Sequence, residues 1–155
     1  MTRYTLALLT ALAAQPALAL SCLPPDPVSL YERARDADER YMIVRGRILP
    51  SGTVNLPVEG KEAETQARVE GMALSEDGFV RPFDRPATLR LLCFGPWCAN
   101  APDPEAETFM AVQLDGPDLV VEIGPCLDNH IGVEKGDEDR VLACHRDGSC
   151  VGRAQ

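Results

Sequence analysis

The sequence predicts an all-β fold with short flanking helices: a barrel or sandwich of five strands, stapled by disulfides. Three observations carry this. Five β-rich apolar segments of five to eight residues are separated by turn signals. The chain has six cysteines, an even number, and all six follow a leader-like N-terminus. Its 155 residues suit one domain able to bury a real core.

The first 19 residues read as an export signal. Arg3 supplies the positive start, Leu6 to Ala14 (LALLTALAA) the short apolar run, and Ala17-Leu18-Ala19 a small-x-small cleavage site. The run is too short to span a bilayer, and Gln15 and Pro16 break it. Cleavage after Ala19 leaves one domain, residues 20–155, expected to be periplasmic or secreted from a bacterium.

CLPPD (22–26) is a stiff, extended lead-in. Asp26-Pro27 reads as an N-cap followed by proline at the first helical position. Leu30, Ala34 and Ala37 then repeat at helical spacing, which predicts a helix over 27–39. YMIVRGRI (41–48) is the first strand, with Gly46 marking a bulge or sharp bend. Residues 49–65 form a loop. ARVEGMAL (67–74) is the second strand, interrupted by Gly71, and 75–86 is turn-rich around Asp77-Gly78. TLRLLCF (88–94) is the third strand, with Leu89, Leu91 and Cys93 on one face, and 99–107 is an acidic loop. TFMAVQL (108–114) and LVVEIG (119–124), joined by Asp115-Gly116-Pro117-Asp118, make the clearest hairpin. A short helix over 137–145 closes the pattern.

The net charge is −9, and loss of Arg3 with the leader leaves 14 basic against 24 acidic residues, net −10. That balance argues against nucleic acid or an anionic membrane as partner. No second apolar stretch is long enough for a membrane span, so a soluble monomer is expected.

CFGPWC, Cys93 to Cys98, is the most distinctive motif. Thiol redox centres use C-x-x-C at a helix N-terminus, but this spacing is C-x4-C at a strand end. Zinc sites need paired Cys or His ligands at set spacing, and His130 and His145 fit none. A structural staple fits: Gly95-Pro96 turns the chain and brings the two cysteines together. Cys144 and Cys150 enclose a similar short loop, which leaves Cys22 for Cys126, one of fifteen connectivities the sequence allows.

SCLPPDPVSLYERARDADERYMIVRGRI, with the later CFGPWC, ETFMAVQL and GPC, resembles the netrin-like, or tissue-inhibitor-of-metalloproteinase-like, OB-fold domains. More narrowly, CLPPDP, CFGPWC and GPC resemble a family of small exported proteins of alphaproteobacteria. The resemblance implies a five-stranded OB-like barrel and raises protease inhibition through the N-terminal Cys. Inhibitors of that type chelate zinc with a free Cys amine and carry Cys-x-Cys. Here Leu20-Ser21 precede Cys22 after the expected cleavage, and Leu23-Pro24 follow it.

Ala19-Leu20-Ser21-Cys22 also resembles a lipobox, which makes a lipid-anchored envelope protein a further alternative; lipidation would leave five thiols, an odd number. Nucleic-acid binding, common among OB-folds, is excluded by charge.

No nucleophile elbow, zincin motif, P-loop or dinucleotide fingerprint occurs. His145, Asp147 and Ser149 are triad residue types without triad spacing. The acidic groups Asp103, Glu105, Glu107 and Glu134, Asp137, Glu138, Asp139 lack calcium-loop order and read as solvated faces. Trp97 is expected to cap the barrel end, with the loop holding Phe94 and Trp97 as the candidate contact surface. The expectation is a binding domain rather than an enzyme, with no cofactor or metal, whose partner is a protein or an envelope component.

Overall fold

The computed structural model describes residues 20–58 and 60–153; the expected leader, 1–19, lies outside the described residues. Helix α1 (Pro27–Asp36) begins as its sequence dictates. The Asp26 carboxylate accepts from the Val28 N–H at 2.8 Å and the Ser29 N–H at 3.2 Å, and Pro27 needs no partner at the first position. The helix stops at Asp36, with Arg33 and Arg35 in its last turn and Ala37 already extended. It is shorter than the spacing of Ala34 and Ala37 predicts.

The main strands are β1 (Tyr41–Pro50), β2 (Ala63–Ser75) and β3 (Gly78–Leu91). A two-residue pair, β4 (Cys93–Phe94) and β5 (Trp97–Cys98), follows, then β6 (Thr108–Asp115), β7 (Asp118–Ile123), the short β8 (His130–Gly132) and helix α2 (Asp137–Asp147). Neighbouring strands run β1-β2-β3-β7-β6, and β6 pairs back onto β1, closing a five-stranded barrel. All barrel pairings are antiparallel except β3 with β7, which is parallel. This is the OB-like barrel that the resemblance implies.

Residues 75–86 are not a turn region. Only Glu76-Asp77 turn, and β3 runs straight through Pro82 and Pro86. Along its first half β3 has β2 on one side and no strand on the other, and a free edge tolerates residues without an N–H. Nor does Gly46 mark a bulge: it pairs in register with Gly71, and the only register shift in that hairpin falls at Ala73/Leu74. A Cβ on Gly46 would lie 2.0 Å from the Glu70 carbonyl oxygen, and one on Gly71 2.2 Å from that of Arg45. The two backbones touch there, and only glycine permits it.

The core has two parts. Val44, Ile48, Val69, Leu89, Leu91, Met110, Val112, Val121 and Ile123 fill the barrel. Val28, Leu30, Tyr31, Ile43, Phe79, Phe109, Ile131 and Val141 pack between the barrel wall and the two helices. Strand β6 lies between both, so TFMAV is apolar without alternation: Met110 and Val112 face inward, Phe109 and Ala111 the helices. Three disulfides join Cys22 to Cys126, Cys93 to Cys98 and Cys144 to Cys150. Among the described residues, no helix is long and apolar enough to cross a membrane.

Candidate functional site

Strand direction gathers three loops at one end of the barrel: 51–62 after β1, 92–107 after β3 and 124–129 after β7. The lead-in joins them through Cys22–Cys126, which closes 104 residues of chain. In the chain-entropy account such a loop stabilises the fold by about 4.7 kcal/mol, against about 2 kcal/mol for each short one.

CFGPWC is a finger standing out from this end. Its base is fixed where Leu92 N–H donates to the Ile123 carbonyl and Ala99 N–H to that of Leu92, both at 2.9 Å. The Cys93–Cys98 bond closes the stem, and Gly95, at φ +61°, takes the first position of a Gly-Pro turn. The Cys93 Sγ lies 3.4 Å from the Val58 carbonyl oxygen, so the finger touches loop 51–62. The Phe94 ring rests on Gly124, where an added Cβ would sit 3.4 Å from its Cζ. Trp97 does not cap the barrel. It is half-buried, and its ring folds over the finger's own turn, 3.9 Å from where a Gly95 Cβ would stand.

Eight large apolar side chains are exposed among the described residues, and five of them, Leu23, Leu56, Val58, Phe94 and Leu127, belong to this end. Leu127 is also the single non-glycine residue with positive φ, +53°, among those described.

Beside the finger, β6 and β7 part. They pair from Asp115↔Asp118 to Gln113↔Val120, and two residues further on Asn129 stands between Ala111 and Glu122, which the same register would have paired. The Asn129 side chain accepts from the Ala111 N–H at 3.1 Å and donates to the carbonyls of Ala111 at 3.2 Å and Glu122 at 2.9 Å. A hollow of about 290 Å³ opens over this wedge, walled by α1 residues Leu30, Arg33 and Ala34 and by Phe94. Glu122 at its edge is engaged by Arg90, which also holds Glu64. Burial, aided by the charges of Glu39 and Glu122, raises the Tyr41 phenol above its ordinary pKa.

The helix side carries a different cluster. Asp137, expected on a solvated face, is fully buried. It accepts from the Glu134 N–H at 2.8 Å, from Arg140, and from Arg153 Nη2 at 2.5 Å. Asp26 accepts from Arg140 at 3.3 Å and from the Arg153 N–H at 2.5 Å in addition to capping α1. Desolvation works to raise both carboxyls, but these hydrogen bonds and cations prevail and hold them below the usual range.

His145 Nδ1 meets the Tyr31 hydroxyl at 3.0 Å rather than Asp147 or Ser149. His130 is held neutral by burial, and its Nε2 has no partner among the described residues. Glu32, Cys144 and Cys150 come within ligand distance of one another, but both sulfurs are in a disulfide and offer no thiolate.

Of the residues expected to matter, the structure brings together Phe94, Trp97, Cys93, Cys98, Cys22 and Cys126 at the loop end and places Cys144–Cys150 between α2 and the segment after it, beside Glu32 and Arg35 of α1. The Asp26–Arg153 cluster and the Asn129 wedge were not foreseen, since their members stand far apart in sequence. Fold and site together define an OB-like barrel, disulfide-stapled, with an apolar loop end. Comparison with protein-family models, curated proteins and solved structures yields no match.

Proposed function

We propose that this chain is an exported binding domain whose loop end contacts a protein or another envelope component. The observation that carries the reading is the gathering of Leu23, Leu56, Val58, Phe94 and Leu127 at one end, while the other exposed large apolar groups among the described residues are Met72, Val80 and Val151. Three disulfides and an N-terminal leader pattern support export. A sulfur bonded to Cys126 is not free to carry a lipid thioether, which counts against the anchored alternative.

Inhibition of a metalloprotease through Cys22 is the second reading. It is favoured by one feature: the lead-in lies on the apolar end, and Leu23 is the most exposed of the large apolar side chains there. It requires a free Cys22 amine, so the mature N-terminus separates the two readings.

The test is a photo-crosslinking residue placed in turn at Phe94, Val58, Met72 and Val80 in envelope preparations. A discrete adduct from Phe94 and Val58 alone supports the proposal. The same adducts from all four positions, or none from any, defeat it.

A further inference from the structure

We infer that the cleft between α1 and the end of β7 seats an extended peptide of a protein partner, with an apolar side chain against Phe94 and a carboxylate on Arg33. This rests on the proposed binding role and specifies its ligand.

The hollow over Asn129 does not end at Phe94. A second, of about 240 Å³, continues past the Cys22–Cys126 bond, and the two share Arg33, Phe94 and Asp128. Together they form one elongated cleft open to the apolar end. Its ring wall is fixed, because Phe94 is half exposed on one side and seated on Gly124 on the other.

Arg33 stands at the junction. Its guanidinium donates to the Asp128 carbonyl and makes no ion pair among the described residues. Arg40, Arg47, Arg81, Arg85 and Arg146 also lack a carboxylate partner among the described residues, but Arg33 is the one arginine that lines both hollows. Its remaining N–H groups form a fork suited to a bidentate carboxylate. Glu122 does not compete for it, being held by Arg90. The Asp128 carboxylate lies toward Gly124, 3.7 Å from where its Cβ would stand, where it can accept from a peptide N–H beside Phe94. A donor fork, an acceptor and an apolar wall in one cleft match the mixed chemistry of a peptide.

The floor also decides how a peptide would bind. The sheet opens at Ala111 and Glu122, where an added strand could pair, but Asn129 already engages the Ala111 N–H and both carbonyls. Recognition there falls to side chains, not to strand addition.

The probe is a pair of capped hexapeptides, acetyl-Gly-Gly-Leu-Glu-Gly-Gly-amide and its Leu-Gln counterpart, titrated into isotope-labelled residues 20–155 and followed by NMR. The Glu peptide is expected to move the signals of Arg33, Phe94, Gly124 and Asp128 and to bind about tenfold tighter than the Gln peptide. In Arg33→Gln, an exposed substitution, that preference should vanish while binding of the Gln peptide persists. Arg33→Lys should recover part of it. No shifts at millimolar peptide, equal binding of both peptides, or a preference that survives Arg33→Gln would each overturn the inference. If the photo-crosslinks at Phe94 and Val58 persist in that event, only the peptide assignment fails. If those are absent too, the binding role fails with it.

Discussion

On the helix side of the barrel Asp137 is wholly buried yet has every oxygen partnered, while at the loop end Phe94 and Leu23 stand in water although each sits beside a disulfide. The first region is ordered by its own chemistry: two carboxylates, two guanidiniums, a helix cap and an apolar layer agree on one arrangement. The second is ordered by covalent bonds and backbone contacts, which fix its shape without covering its side chains. The difference teaches how an apolar surface can be kept exposed without collapsing: Cys22–Cys126 and Cys93–Cys98 do the holding that burial does elsewhere.

The sharpest way to break that contrast is to remove the long staple. Replacing Cys22 and Cys126 together by alanine is expected to cost about 4 to 5 kcal/mol, against about 2 for the Cys93/Cys98 pair. Urea unfolding of the two double variants measures both, and equal losses would show that loop length is not what matters. On the other side, Asp137→Asn leaves Arg140 and Arg153 without their shared partner and is expected to cost about 3 kcal/mol. Chemical denaturation reads it, and a loss under about 1 kcal/mol would mean the cluster is dispensable.

Acid should separate the regions as well. Asp26 and Asp137 have folded pKa values below their unfolded ones, so the folded chain holds fewer protons on them. Their stabilisation is present above about pH 4 and is lost as pH falls through the folded values. His130 is also lowered, by burial, so stability declines as pH drops below about 6.5, when the unfolded chain takes up a proton first. Melting temperatures from pH 8 to 3 should show both phases, and Asp26→Asn should flatten the lower one. An unchanged acid limb in that variant would remove Asp26 from the account.

The smallest stability effect belongs to the loop end. Phe94→Ser should change stability by about 1 kcal/mol or less, whereas Phe109→Ala, in the layer beneath the helices, should cost about 3 to 5 kcal/mol. If both cost the same, Phe94 is a packing residue and its exposure has been misread.

The five barrel strands and the DGPD hairpin were legible because alternation and turn residues are local signals. So was the Asp26-Pro27 start of α1. The limits of two strands were not: β2 begins at Ala63 rather than at 67, and β3 runs from Gly78 to Leu91 rather than over 88–94. Pro82 and Pro86 misled, since a proline reads as a break until a neighbouring edge is known to be free. Asp137 misled in another way: in a run of acids nothing marks the one that Arg140 and Arg153 will enclose. The loop end was half legible. Phe94 and the disulfide finger could be picked out by composition, but Arg33, Asp128 and Asn129 are ordinary residues until the barrel sets α1 against β7.

The bond from the Arg153 N–H to Asp26 has one more consequence. It places residues 127 apart in sequence at the same spot, so the segment that enters α1 and the segment that follows the Cys144–Cys150 loop are neighbours. A short linker could join them and new ends be opened elsewhere, at Gly116 in the β6–β7 turn for instance, without redrawing the barrel. Such a permuted chain would move both termini to the far end of the β6–β7 hairpin from the finger.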